Sequence, residues 1–595
     1  MLEPQQRSTI YDVVRPPFPD WSVDALVICT YSVALNTVLS LPAAILADMP
    51  GLQMRAEGAF SPQQLAALRR ICDRTLIFCQ MSAIHSAVGM TPAVIEAEKM
   101  IYEVEAPNGG AFHPKVWVIR FRDPKGEKTL LRVAISSRNL TSDPSWDLAV
   151  ILDGTGSIGV RESNDLGHFL RCLPAMRNNQ RPLSRARAAM LEELADMVEQ
   201  TRWRLPPGLT KPSFHAIGVK DRGGWQPPSS DRLAVLSPFL HVDALDALQK
   251  TTATPAFLIS RIDAIDRTWS AASAFRHVAV LSPPQNDEGG RVGSDLHAKA
   301  FFWQTGKRAA VALGSMNATT PAMAGTNVEF MASFDCTSAL KDGGIDSLLD
   351  HKMLGLVTTE YAPPENAEEA PAPFDDRPAK RALAALELNL ECRREKDRWR
   401  LVLRTKADIT PALISMLPAL RFRPTTLGKS EGALCLHGLA AAGEAIFPRP
   451  LELAEITGFI AFEAGTAEEP IRFTLNLDVS GVSDDERREA VVHAIVRDEQ
   501  SFVDFVRGQL GDFSSLELAG GAEAGLGGGE EQTGLAMRAG PGLLELLVRC
   551  ACDAPERLRD IDATITSLGA ASTGVVPKAF AQIWRAMVDA TRPAR

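Results

Sequence analysis

One arrangement occurs twice along this chain, and it restricts the fold more than any other feature. The first copy carries His113-Pro114-Lys115, the run VWVIRF, a polar turn around Asp123 to Lys128, and LLRVAISSRNLT with Ser137 and Asn139. The second carries His297-Ala298-Lys299 and then AFFWQTGKRAAVALGSMNAT with Ser315 and Asn317. Of the ten histidines, only His113 and His297 have a lysine two residues on. Side chains at i and i+2 of a strand share a face, so each His and Lys point together. The returning strand of each hairpin brings Ser and Asn to their side. Two imidazoles, two ammoniums, two hydroxyls and two amides make a basic, donor-rich pocket suited to a phosphate.

The repetition extends upstream. The segment from Asp24, DALVICTYSVALNTVLSLP, resembles that from Asp231, DRLAVLSPFLHVDALDALQK: an apolar strand, a small turn and an amphipathic helix. TLIFCQM at 75–81 and PAFLISR at 255–261 each supply a second buried strand. Strands alternating with helices predict an α/β fold with a parallel or mixed sheet. Two such repeats should pack as a pseudo-dimer about a pseudo-twofold, so that both His-x-Lys pairs meet in one cleft. The expected division is a first repeat over 1–178, a bridging helix and linker over 179–230, and a second repeat over 231–360. Within the bridge, 181–204 reads as a helix followed by loops around PPG and PPSS. A Pro- and acid-rich stretch, YAPPENAEEAPAPFDDRPA, reads as a linker. Alternating segments then predict a small β-rich accessory domain over 375–480. A helical C-terminal region over 483–595 opens at Ser483 with capping-box spacing and a helix running to about Leu510. LAGGAEAGLGGGEEQTG within it reads as a loop, with helices at 542–551, 554–568 and 577–591 beyond.

At 595 residues, two to four domains are expected. A net charge of −10 gives no global positive field, so any contact with nucleic acid must come from local patches. Nine scattered cysteines without a CxxC pair argue against a disulfide framework or a zinc site and fit a reducing cytoplasm. The N-terminus lacks the basic-then-apolar layout of a signal peptide. Ala25 to Ala47 is uncharged and long enough to span a bilayer, but its polar interruptions and Pro42 divide it into a strand and a helix. The expectation is a protein without membrane insertion.

These motifs resemble the phospholipase D superfamily, whose signature is His-x-Lys followed by Gly/Ser-Ser-x-Asn and an acid. The resemblance covers roughly residues 20–360. It implies phospholipase D-like repeats in which His113, Lys115, Asn139, His297, Lys299 and Asn317 are catalytic. Ser137, Ser315, Asp147 and Glu329 support them. Arg120 and Gln304 stand where the family often has an Asp, and Ser136 in the first copy faces Gly314 in the second. The missing Asp is similar to divergent branches that include tyrosyl-DNA phosphodiesterases. The lysines would gather positive charge around phosphorus, with asparagines and serines donating hydrogen bonds. One histidine attacks phosphorus and the other protonates the leaving oxygen, while each acid holds an imidazole in its tautomer. The resemblance assigns the nucleophile to His113 and the acid to His297, though the sequence alone could support the reverse. No cofactor and no metal is required.

The implied activity is a phosphodiesterase working as a nuclease, on DNA ahead of RNA, sufficient as a monomer and cytoplasmic. Bacterial members with such C-terminal extensions imply an anti-phage setting beside a helicase or ATPase partner. The alternatives are a phospholipase or phosphatidyltransferase, and a silent nucleic-acid-binding scaffold. The run Arg171, Arg177, Arg181, Arg185 and Arg187 could track a nucleic-acid backbone or line a solvated helix face. A second run, Arg393, Arg394, Lys396, Arg398 and Arg400, reads as solvated surface. Trp117, Trp146 and Trp303 lie near the motifs, with Trp303 expected in the core.

Overall fold

A computed structural model gives the fold. It describes residues 10–18, 21–46, 60–142, 145–156, 164–177, 181–281, 296–336, 344–346, 358–363, 376–465, 470–511, 542–553, 555–571 and 574–591. The central part of the Pro- and acid-rich stretch and the Gly-rich tract lie outside the described residues. The chain divides into two compact units that do not follow sequence order. The first comprises Met1–Thr37, Arg74–His85 and Ile101–Arg381; the second comprises Val38–Asp73, Ser86–Met100 and Ala382–Arg595.

The first unit holds both His-x-Lys segments and is built on two mixed sheets. In one, the strand order is Ile101–Val104, Thr75–Gln80, Ser22–Thr30, Val116–Arg122, Thr129–Ser136, Ala149–Gly156, Thr201–Arg204. The other runs Leu209–Ile217, Glu329–Cys336, Arg308–Gly314, Ala300–Thr305, Ser230–Leu236, Thr252–Ser260, His277–Leu281, Thr358–Glu360. Each sheet thus has three parallel strands followed by four antiparallel ones, in the same order relative to its His-x-Lys hairpin, and Thr358–Glu360 adds an antiparallel edge to the second. The parallel strands are apolar because both faces are covered: Thr75–Gln80 is buried at every position. A shared core joins Val118 and Val133 of the first sheet to Phe330 and Leu313 of the second. Phe169, from the helix Asn164–Met176, lies 5.0 Å from the Phe330 ring.

Two elements of the bridge differ from expectation. The helix Arg185–Glu199 stops short, and Thr201–Arg204 is a strand with Thr201 and Trp203 buried and Arg202 and Arg204 exposed. That alternation of period two pairs it with Ala149–Gly156. Leu209–Ile217, expected as loop, is a strand completing the second sheet beside Glu329–Cys336. The uncharged N-terminal stretch is the strand Ser22–Thr30 and the helix Leu35–Leu46. Among the described residues no helix is long and apolar enough to cross a membrane.

The second unit pairs Asn389–Glu395 with Arg398–Arg404, and Phe459–Gly465 with both Arg421–Pro424 and Pro470–Asn476, all antiparallel. Its interior contains an ion pair: Arg487, 1% exposed, meets Glu98 at 2.9 Å. Glu98 also accepts from the Gly458 amide and the Thr457 hydroxyl, so both oxygens of the buried carboxylate are met. Ser483 caps the helix Asp484–Ile495 in a capping box, as its spacing predicts. The helix does not continue to Leu510. It breaks at Val496, and Asp498 caps a new helix, Glu499–Leu510, because its carboxylate takes the Ser501 amide.

Candidate active site

The His-x-Lys tripeptides lie just ahead of their strands, which begin at Val116 and Ala300. Each is extended and pairs with the other copy. The His113 amide donates to the Val328 carbonyl at 2.8 Å, and the His297 and Ala298 amides both donate to the Trp146 carbonyl at 3.0 Å. These bridges bring each histidine to the acid of the opposite copy. His113 Nδ1 lies 2.9 Å from Glu329 Oε2, and His297 Nδ1 lies 3.0 Å from Asp147 Oδ1. The pairing is crossed, which sequence order could not show.

The serines hold the acids rather than face a ligand, which corrects their expected role as donors to the phosphate. Ser137 Oγ donates to Asp147 Oδ1 at 2.7 Å and accepts the Leu148 amide at 3.0 Å. Ser315 Oγ donates to Glu329 and accepts the Phe330 amide at 2.9 Å. Both hydroxyls are fully buried, so their capacity is spent locally. Lys115 and Lys299 are also fully buried, and their ammoniums donate to the carbonyls of His113 and His297. Asn139 and Asn317 keep buried Oδ1 atoms without a partner among the described residues. Each of these asparagines therefore keeps a buried acceptor that nothing among the described residues uses.

Burial pushes the His113 imidazole down to about 4, against the raising pull of Glu329. Burial also lowers His297, opposed by Asp147, and lowers Lys115, opposed by Glu329. The two imidazoles are not equivalent: the His113 side chain is 15% exposed beside a fully buried Glu329, and His297 is 22% exposed beside a 13% exposed Asp147.

Three neighbours of the site carry no motif signal. Tyr31 lies with its ring centroid 5.4 Å from that of His113 and 5.8 Å from Lys115 Nζ. Asn327 donates to Glu329 Oε1 at 3.3 Å and accepts the Ala111 amide at 2.9 Å. Arg138, between Ser137 and Asn139, stands 3.6 Å from Asp147, where the second copy has Met316. At the positions of the absent family Asp, Arg120 pairs with Asp24 and Glu193, and Gln304 accepts the Ile345 amide. Those side chains serve the fold.

The upstream basic run is largely committed elsewhere. Arg171 is held by Glu192, Asp196 and Glu199, Arg177 donates to the Arg181 carbonyl, and Arg187 is buried against Tyr102. In the second unit, Arg393, Arg398 and Arg400 pair with Glu444, Glu452 and Glu395. Trp117 is buried, Trp146 packs on the shared core, and Trp303 packs on the helix-side core of the second sheet. Among the described residues, no group of three or more His, Cys, Asp or Glu side chains is placed to hold a metal ion.

No protein-family model and no curated protein matches the chain. Solved structures do. Yeast tyrosyl-DNA phosphodiesterase is 12% identical, with 56% of this chain and 88% of that chain covered and a TM-score of 0.34. Phosphatidylserine synthase from Haemophilus influenzae is 10% identical over 61% of this chain and 88% of its own, with a TM-score of 0.31. Polyphosphate kinase from Porphyromonas gingivalis is 12% identical over 62% of this chain and 52% of its own, at 0.27. Likeness at that level settles neither residue equivalence nor activity, which rest on the geometry above.

Proposed function

We propose that this pocket hydrolyses a phosphodiester of nucleic acid, DNA ahead of RNA, by double displacement at phosphorus. The observation that carries the reading is the crossed pair of histidine–acid bonds around two buried lysines. An Nδ1–H donated to a carboxylate leaves Nε2 as the working atom of each ring. His113, neutral because burial holds its pKa at about 4, attacks phosphorus through Nε2. The bond from phosphorus to the leaving oxygen breaks as His297 Nε2–H gives that oxygen its proton. Water then attacks the phosphohistidine, His297 takes a proton back, and the nitrogen–phosphorus bond breaks. Lys115 and Lys299 balance the charge that builds on the non-bridging oxygens, and Asn139 and Asn317 turn their amides toward them. Two like residues held in different protonation states are a recurring acid–base design.

The test incubates the full chain with labelled single- and double-stranded DNA, RNA and phosphatidylcholine vesicles in EDTA, beside His113→Ala and Lys115→Ala. Nucleic-acid cleavage that survives EDTA and disappears in both variants, with acid-labile phosphate trapped on His113, is the expected result. Choline release without nucleic-acid cleavage would make it a lipid enzyme, and tight binding without turnover a scaffold.

A further inference from the structure

In the first unit, the opening strand of each repeat ends at a buried hydroxyl: Thr30 closes Ser22–Thr30, and Ser237 follows Ser230–Leu236. The two make the same pair of bonds. Thr30 Oγ1 donates to the Ser32 carbonyl at 2.8 Å and accepts the Leu140 amide at 3.0 Å. Ser237 Oγ donates to the Phe239 carbonyl at 2.8 Å and accepts the Ala318 amide at 2.9 Å. Leu140 and Ala318 directly follow the motif residues Asn139 and Asn317. Each is fastened a second time through its carbonyl, which accepts the amide of Ala34 at 2.9 Å or of His241 at 3.0 Å.

We infer that Thr30 and Ser237 are positioning residues, each fixing the peptide that aims one motif asparagine at the substrate phosphate. The inference rests on the phosphodiesterase reading above. Thr30 and Ser237 are 1% and 0% exposed, so neither hydroxyl is a surface accident. Their surroundings differ: Tyr31, Ser32 and Leu140 in one copy stand where Pro238, Phe239 and Ala318 stand in the other. The hydroxyl with its two bonds is what the copies share, and it is what the Asn-bearing loop needs. An asparagine often fastens its own loop by bonding nearby backbone. Here that work passes to a neighbouring hydroxyl, and the Asn139 and Asn317 Oδ1 atoms remain unpartnered among the described residues. An amide can present its oxygen or its NH2 by a half-turn of its terminal torsion, so the free end can donate to a phosphate oxygen. A misplacement of about 1 Å at such a group costs up to about 100-fold in rate.

The test compares variants that delete the hydroxyl, Thr30→Val and Ser237→Ala, with variants that keep it, Thr30→Ser and Ser237→Thr. The substrate is bis(p-nitrophenyl) phosphate and the full chain is used. The expected result is a kcat lower by roughly 10- to 100-fold on deletion, KM within about threefold of wild type, and recovery in the hydroxyl-keeping pair. Hydrogen exchange at the Leu140 and Ala318 amides should quicken only in the deletion pair. Unchanged kcat on deletion, or equal loss in all four variants, overturns the inference. Should Thr30→Val not fold, Ser237→Ala, which removes a single oxygen, decides alone. If wild type turns over no phosphodiester, the functional reading has failed separately, and inorganic vanadate binding decides. Binding weakened about tenfold by deletion and restored by the hydroxyl-keeping variants supports the positioning role; no binding, or equal binding throughout, overturns it.

Discussion

His113 and His297 are chemically identical residues made different by depth and by partner, and that difference sets how each should respond to change. Glu329 fixes the ring that attacks, so Glu329→Gln frees the wrong nitrogen and should lower the rate of phosphohistidine formation by about 10²- to 10⁴-fold. Asp147 fixes the ring that donates a proton. A p-nitrophenolate leaves without a proton, so Asp147→Asn should retain a burst near one equivalent of product and then stall. Stopped-flow absorbance reads both, and loss of the burst in Asp147→Asn with its retention in Glu329→Gln would reverse the assigned roles. The same asymmetry sets the pH profile. The nucleophile must be neutral, so kcat/KM should fall as pH drops through about 4, the value burial gives His113. The acid must be protonated, and burial holds His297 below its ordinary 6.5, so kcat/KM should also fall as pH rises past that range. A pH–rate series should therefore show an acidic optimum, and a rate that climbs steadily to pH 8 would contradict it.

At the scale of elements, the two hairpins look alike in sequence yet end differently. Gly314 has φ +153°, and a Cβ there would meet the Phe330 carbonyl at 2.3 Å. The first copy carries Ser136 at the corresponding place, in a strand position that accommodates its hydroxyl near the Arg138 carbonyl. Gly314→Ser should therefore destabilise the fold by roughly 1–3 kcal/mol in urea unfolding, and Ser136→Gly by less. Equal effects would show that the second hairpin can relax around a side chain. The hairpins themselves were legible, because alternation and the i+2 rule act locally. Ser483 and Glu486 announced their helix for the same reason, since a cap is a contact between near neighbours. What escaped depends on partners distant in the chain. Thr201–Arg204 is a strand only because Ala149–Gly156 offers it an edge. Arg187 reads as surface until Tyr102 covers it. The crossing of Glu329 to His113 needs the bridge between Phe112 and Val328, which no spacing encodes.

Across the whole molecule, charge and unit composition decide how a polyanion can be held. Val38–Asp73 and Ser86–Met100 belong to the second unit although in sequence they fall between segments of the first. The net charge is −10, and Arg171, Arg177 and Arg187 are occupied by intramolecular partners. A groove lined by free cations would neutralise six to ten phosphates and give an affinity that collapses by about 10³- to 10⁵-fold between 50 and 200 mM salt. Here the lysines of the site are two, Lys115 and Lys299, both fully buried and near enough for the charge of Lys299 to act on Lys115. Releasing the counterions of about two phosphates on a single strand corresponds to a loss of roughly tenfold over the same range. Binding of a fluorescent single-stranded oligonucleotide to His113→Ala, titrated at several salt concentrations, measures the slope directly. A shallow slope is expected; one corresponding to six or more phosphates would mean that the nucleic acid is held along an extended cationic surface, with the pocket engaging only the bond to be cut.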